Sequence, residues 1–238
     1  MNVLGVDTSF LSDTSIGLYF SEDNQLEINL RIPLSQEEKL LFSINSAFEI
    51  INRKIEEIEL FSIGIGPGSF TGLRIGISVV KALAWSLSKP VVGISSLELL
   101  SHSIPQEIVD ADSLVIPVVD ARMNKVFVAL FNKDGRIMKD MDIRPDEVVE
   151  IVKKRKEKKF IFIGDGINKY EGVFLNIDNK EKIMLKDGII RGITICQLGI
   201  REYSKRGASE VKTLSPAYLR KSEAEEKLKE QQQLFGKN

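Results

Sequence analysis

Gly66-Pro67-Gly68-Ser69-Phe70-Thr71-Gly72-Leu73-Arg74-Ile75-Gly76 is the stretch on which the reading of this chain turns. An apolar run over 61–65 feeds into it, and a helix-forming segment over 71–88 leaves it, stopped before Pro90. Strand, glycine-rich turn and helix in that order place free main-chain N–H groups at a helix start, an arrangement able to cradle an anion. A P-loop needs a lysine directly after its last glycine, and Gly72 is followed by Leu73. The glycines are also out of frame for a dinucleotide fingerprint. A tight strand-to-helix turn is the plainer reading. From Ile75 to Leu87 the helix carries one charged residue, Lys81. A helix so apolar is expected to be buried nearly all round. Gly68, Gly72 and Gly76 recur every four residues, hence on one face, where another backbone can come close. The neighbour is either the first helix of the same lobe or a second protein.

Upstream, 3–6 is a short apolar strand ending at Asp7, and 15–20 is its partner beyond a polar turn. A third strand is expected over 25–32. Ser35 and Glu38 have the spacing of a capping box. Leu40, Leu41, Ile44, Ala47, Phe48 and Ile51 then follow helical spacing to about Arg53. Downstream, 91–94 reads as a strand, and Ser95 or Ser96 caps a short helix through Leu97, Leu99 and Leu100.

The pattern then begins again. An apolar strand over 114–119 ends at Asp120, residues 121–124 make a turn, and 126–131 returns. Asn132-Lys133-Asp134-Gly135 is a tight-turn signal leading into 136–141. Pro145-Asp146-Glu147 opens a helix with a first-turn proline and acids near the positive dipole end. A strand over 160–163 ends in Gly164-Asp165-Gly166, and a helix over 194–203 is stopped by Gly207. Strand, Asp, polar turn, two strands, helix and strand thus occur twice. This predicts an α/β protein of two related lobes, each a mixed sheet flanked by helices. The division expected is 1–103, 104–221 and a charged, helix-prone tail over 222–238, with a tight hinge within 101–112.

Composition narrows the function. A hydrophobic fraction of 43% supports a real core. A formal net charge of −1 argues against a free-standing nucleic-acid binder, which needs a basic excess. The single cysteine, Cys196, excludes an internal disulfide and fits a reducing compartment. Every long apolar run is broken by glycine or charge, so no membrane association and a cytoplasmic location are expected.

The eleven-residue stretch closely resembles the signature of the TsaB (YeaZ) family. Matching segments follow in order: Asp7-Thr8-Ser9, Asp120-Ala121-Arg122, Gly164-Asp165-Gly166 and Pro216-Ala217-Tyr218-Leu219-Arg220. Together they span almost the whole chain. The resemblance implies the two-lobed actin-like ATPase fold shared by sugar kinases, Hsp70 and actin. It implies a role in threonylcarbamoylation of the adenosine beside the anticodon of tRNA, as a non-catalytic paralogue that holds the TsaD transferase in working form. TsaE would be the complex's ATPase, TsaC the source of threonylcarbamoyl-adenylate, and tRNA would be met only through the complex. A homodimer of the isolated chain is a further expectation. Many members carry a His before Leu-Leu-Pro in the first helix; here Ser35 to Phe42 has neither that His nor that Pro.

In active members of that superfamily the acids ending the two strands organise Mg²⁺ and nucleotide phosphates. Here Thr8 and Ser9 follow Asp7, and Ala121 and Arg122 follow Asp120, so the phosphate-approach glycines are missing. Asp7, Thr8, Ser9, Asp120, Gly164, Asp165 and Gly166 are therefore expected to form a vestigial nucleotide site, weak or inactive, with no metal and no cofactor. Each Asp has the alternative of capping its own turn. Catalytic residues are not expected. His102 is the only histidine and sits at a helix end, and Cys196 lies in an apolar helix as core. A peptidase or a phosphotransferase would need a nucleophile–base pair, a metal set or intact phosphate turns. The basic run Lys153 to Lys159 reads first as a solvated helix end, with a tRNA phosphate contact as the sharper alternative. Partner binding is expected on Leu41, Ile44 and Phe48 of the first helix and on Gly68, Thr71, Gly72, Leu73, Ile75, Gly76, Val79 and Leu83 of the second.

Overall fold

The computed structural model describes residues 1–10, 13–31, 36–178 and 180–219. The expected tail over 222–238 and the capping residue Ser35 lie outside the described residues.

Two five-stranded mixed sheets make up the fold. The first contains β1 (Val3–Asp7), β2 (Asp13–Ser21), β3 (Asn24–Arg31), β4 (Leu60–Gly64) and β5 (Val91–Ile94), in the order β3-β2-β1-β4-β5. β1 pairs antiparallel with β2 and parallel with β4. The second contains β6 (Ser113–Asp120), β7 (Val126–Asn132), β8 (Gly135–Ile143), β9 (Lys159–Ile163) and β10 (Glu181–Leu185), in the order β10-β9-β6-β7-β8. That is the same topology read from the other edge, with β6 antiparallel to β7 and parallel to β9. Helices α1 (Gln36–Ile50), α2 (Phe70–Ser86), α3 (Ser96–His102), α4 (Pro145–Lys153), α5 (Gly166–Leu175) and α6 (Gly192–Arg206) complete it. The chain order is βββαβαβα twice over. No helix among the described residues is long and apolar enough to cross a membrane.

The repeat is longer than the sequence pattern indicates, because α5 and β10 carry weak signals. α5 contains Gly172 and has a non-helical Tyr170. β10 is an edge strand that starts with Glu181-Lys182 and is only half-buried. Of the two serines expected to cap α3, Ser95 does so, accepting the Glu98 N–H at 3.3 Å, and Ser69 caps α2, accepting the Gly72 N–H at 3.2 Å.

α1 and α2 cover one face of the first sheet around Leu4, Val6, Ile16, Phe61 and Ile63. The opposite face is covered by α6, which follows the second sheet in sequence but packs on the first. Strand glycines permit this. A Cβ on Gly17 would lie 2.0 Å from the Gly192 carbonyl oxygen, so strand and helix main chains touch there. Cys196 sits in this layer, fully buried, with burial pushing its thiol pKa up, as the core reading of the sequence requires. Conversely α3, which follows the first sheet, packs on β6 and β7 of the second. α3 and α6 thus cross over and form the layer between lobes, where Leu97, Leu100, Ile195 and Leu198 join Val115, Phe131 and Ile161. Glu98 ties the layer together, pairing with Arg136 of β8 at 3.1 Å and with Arg201 of α6 at 3.0 Å. His102 closes α3 half-buried, edge-on to Phe131, and burial lowers its pKa.

Candidate functional site

The turns after β1 and β6 both reach a cavity of about 330 Å³ between the lobes. Ser9, Phe10 and the start of α2 line one side; Asp120, Ala121, Arg122, Phe127 and Asp165 line the other. The two acids that end the strands behave differently. Asp7 is 2% exposed and turned into the first lobe. Its Oδ1 accepts the main-chain N–H of Ser9 at 2.8 Å and the Ser9 hydroxyl at 2.6 Å, and its Oδ2 accepts the Ser96 hydroxyl at 2.7 Å. A Cβ on Gly64 would overlap that carboxylate at 1.7 Å. Asp7 is a structural clasp, so the expectation that it faces the cleft as a ligand residue is corrected. Burial raises its pKa, against the lowering effect of those three hydrogen bonds.

Thr8 is clasped too. Its hydroxyl donates to the Gly72 carbonyl at 2.7 Å, and a Cβ on Gly76 would meet its Oγ1 at 2.2 Å. A Cβ on Gly68 would meet the Ser9 carbonyl oxygen at 2.3 Å. The glycine stripe of α2 therefore lets the Asp7 turn approach from inside. The close neighbour at Gly68 and Gly76 is this turn and not the first helix, so the steric reason for placing Gly68, Gly72 and Gly76 at an interface falls away.

Asp120 and Asp165 do line the cavity. The Asp120 N–H donates to Asp165 Oδ1 at 3.0 Å, and Lys169 lies 3.7 Å from Asp120 Oδ2. Burial raises the pKa of Asp165, and the nearby charges of Asp120 and Asp13 raise it further. Gly164 and Gly166 are buried against Val118 and serve packing. A carboxyl whose folded pKa is raised holds its proton more tightly folded than unfolded. Its contribution to stability is full below the ordinary carboxylate range and is lost as pH rises through the folded value. Asp165→Asn keeps the acceptor for the Asp120 N–H and removes the charge. Urea unfolding across acid to neutral pH is expected to show a smaller loss of stability with rising pH in the variant than in the parent. Parallel curves would contradict the burial of this charge. Among the described residues no group of three metal-ligating side chains assembles.

The other feature is the outer face of the helix pair. Leu73, Ile44 and Phe48 are buried in the lobe core, and Ile75, Val79 and Leu83 are half-buried against it. They pack the lobe, which corrects the inference that their bulk exceeds what one side of the lobe can bury. α2 has a wet stripe after all, through Thr71, Arg74, Ser78, Ala82 and Trp85. Trp85 is 61% exposed, and on α1 Leu41 is 54% and Phe42 72% exposed. Sequence reasoning missed Phe42 and Trp85, although Trp85 lies in helical register with Thr71 and Ser78. The basic run is largely neutralised, Lys153 by Glu150, Arg155 by Glu157, Lys158 by Asp112 and Lys159 by Asp110.

The family model for TsaD, tRNA N6-adenosine threonylcarbamoyltransferase, matches residues 35–228. The tRNA threonylcarbamoyladenosine biosynthesis protein TsaB of Bacillus subtilis is 26% identical over 98% of this chain and 100% of its own length. The chain belongs to the TsaB (YeaZ) family. The TsaB protein of Escherichia coli is 23% identical over 96% of the chain and 98% of its own length. YeaZ from Pseudomonas aeruginosa superposes with a TM-score of 0.78 at 22% identity, covering 92% of this chain and 99% of that one. The activator of 2-hydroxyisocaproyl-CoA dehydratase from Clostridium difficile, solved with bound ADPNP, gives 0.50 at 10% identity over 88% of this chain and 99% of that one. The fold is the two-lobed actin-like ATPase fold. Within it, the first strand-end acid of this TsaB-family chain, Asp7, is buried and does not line the cavity.

Proposed function

We propose that this chain is a non-catalytic partner subunit in tRNA threonylcarbamoyladenosine biosynthesis, binding a TsaD-like transferase through the outer face of α1 and α2. Membership of the family, whose curated relatives carry that pathway in their names, supports the pathway. The observation that carries the binding surface is the exposure of Leu41, Phe42 and Trp85 on two neighbouring helices. Large apolar side chains gathered in the open mark an interface. Exposed Thr71 and half-buried Ile75, Val79 and Leu83 lie on the same helix as Trp85, and Leu41 on α1 is itself exposed, so part of the face expected from sequence remains in the proposal. A TsaE-like ATPase belongs to the same reading, with tRNA met only through the assembly. The same face on two copies can pair about a two-fold axis, so self-association and partner binding compete.

Exposed side chains can be tested without disturbing the core. The double substitution Phe42→Glu and Trp85→Glu is expected to leave the thermal midpoint of the isolated chain within a few degrees. It is expected to weaken binding to the TsaD-like partner by about 30-fold or more, the effect of losing an aromatic hot spot worth ~2 kcal/mol. Calorimetry measures the affinity and sedimentation the self-association. Unchanged values in both place the interface elsewhere.

The enzyme alternative, a peptidase or phosphotransferase, finds less support. Asp7 is committed to Ser9 and Ser96, and His102 makes its hydrogen bonds within α3, with its Nδ1 3.0 Å from the Glu98 carbonyl oxygen and 3.1 Å from the Ser101 hydroxyl.

A further inference from the structure

The cavity between the lobes takes in the first turn of α2, Thr71 included, but neither Phe42 nor Trp85 of the proposed partner surface lines it. Its walls are aromatic: Phe10 and Phe70 from the first lobe, Phe127 from β7, and Tyr218 from the segment after α6 that crosses back over the cleft. One of these rings already carries a cation, although the cation's own residue does not line the cavity. The Arg74 guanidinium lies 3.9 Å from the centre of the Phe70 ring, and Tyr218 stacks on that ring at 4.9 Å. A ring face is electronegative, and a cation set over it away from bulk water is stabilised more than one in the open.

The second observation is Asp165. Its carboxyl lines the cavity, and the main-chain N–H of Asp120 donates to it. No side chain among the described residues donates to it or pairs with it. Asp120 on the same wall has Lys169 as its counter-ion, and Asp13 has Arg31 at 2.9 Å. Among the described residues Asp165 is thus the carboxyl of this trio without a cationic side-chain partner, and it lines the same cavity as Phe10 and Phe127. A half-buried acid so placed is stabilised by a positive charge brought to it from outside.

We propose that the cavity is a binding site for an organic cation, an ammonium or guanidinium on a short stem, with the charge against Asp165 and the stem against Phe10 and Phe127. A volume of about 330 Å³ is at the lower end of small-molecule sites and suits such a group better than a nucleoside triphosphate. On the second-lobe wall an anionic phosphate would meet two carboxylates, Asp120 and Asp165, against one lining cation, Arg122. The cation is either a free small amine or the tip of a lysine or arginine side chain on a partner protein. The proposal stands independently of where the partner surface lies.

The test uses the full chain labelled for amide NMR, titrated with putrescine, with arginine methyl ester and with Mg-ATP. Saturable shifts from an amine, centred on residues 119–122, 127, 165 and 217–218, are expected, with Mg-ATP weaker at the same residues. Asp165→Asn is expected to weaken the amine roughly tenfold, and Phe127→Leu to do the same through the ring face. The Phe42→Glu and Trp85→Glu double variant should bind the amine normally, which separates this site from the partner surface. Absence of saturable shifts with both amines overturns the proposal, as does tighter binding of Mg-ATP. Equal amine affinity in the parent and both site variants overturns it as well. The same shifts produced by the TsaD-like partner, and reversed by excess amine, assign the cation to a partner side chain; shifts from free amine alone assign a small ligand.

Discussion

Gly17→Val is expected to abolish folding of the isolated chain. Gly17 pairs with Gly5 in the centre of the first sheet, and any Cβ there would lie 2.0 Å from the carbonyl oxygen of Gly192 at the start of α6. The opposing atom is main chain, so no rotamer change can relieve the overlap. Either α6 lifts off the sheet or β2 moves out of register. Lifting α6 uncovers Val3, Leu60, Val92 and Cys196, all buried now, and breaks the hydrogen bond from the Ser62 hydroxyl to the Ile195 carbonyl. Ordinary overpacking costs about 1–3 kcal/mol, and a backbone collision lies at or beyond the top of that range. Against a total stability of roughly 5–15 kcal/mol, such a loss leaves a marginal or unfolded chain. Loss of the cooperative thermal transition, with recovery of the protein in the insoluble fraction, is the expected reading. A soluble variant with an unshifted transition would mean that α6 does not rest on the first sheet.

Gly76→Leu is expected to destabilise the isolated chain itself, by about 2–3 kcal/mol or more, before any question of partner binding arises. The sequence alone points to a different outcome, a folded monomer with a blocked interface. The structure changes it because the space beside Gly76 belongs to Thr8, whose side chain is fully buried and held by its bond to the Gly72 carbonyl. Thr8 is β-branched and follows the clasped Asp7, so it has no free rotamer to move into. A leucine here forces the Asp7 turn outward and strains the hydrogen bonds from Ser9 and Ser96. The smaller Gly76→Ala is expected to show a reduced effect, relieved in part by Thr8→Gly, because the pair shares one space. Thermal melts of the single and double variants measure this coupling. If Gly76→Leu melts like the parent but no longer associates, the glycine face looks outward and the present assignment fails.

These two sites show what the linear sequence could and could not convey. Spacing places Gly68, Gly72 and Gly76 on one face of a helix, and a close approach occurs there, by the Ser9 main chain at Gly68 and by the Thr8 side chain at Gly76. Periodicity carries no information about which segment that is. The Asp7 turn lies more than 60 residues upstream in the chain. In the same way, Gly17 reads only as a weak point in a strand until α6, from the far side of the second lobe, is seen to rest on it.

The sequence by itself determined the two-lobed repeat, since each lobe opens on a short apolar strand ended by Asp, followed by a polar turn, two more strands and a helix. It also determined the family, through the glycine-rich stretch and the ordered segments after each strand. It marked the likeness to a nucleotide site and the missing phosphate glycines, because those depend on residue type at a turn. Tertiary structure alone decided the fate of the two acids. Asp7 is drawn inward because Ser96, far along the chain, offers a hydroxyl to its second oxygen, whereas Asp120 and Asp165 remain at the cavity. It alone decided that α3 and α6 exchange sheets, and that the wet stripe of α2 runs through Trp85. Burial depends on what packs from other parts of the chain, and helical spacing can name a face without saying what covers it.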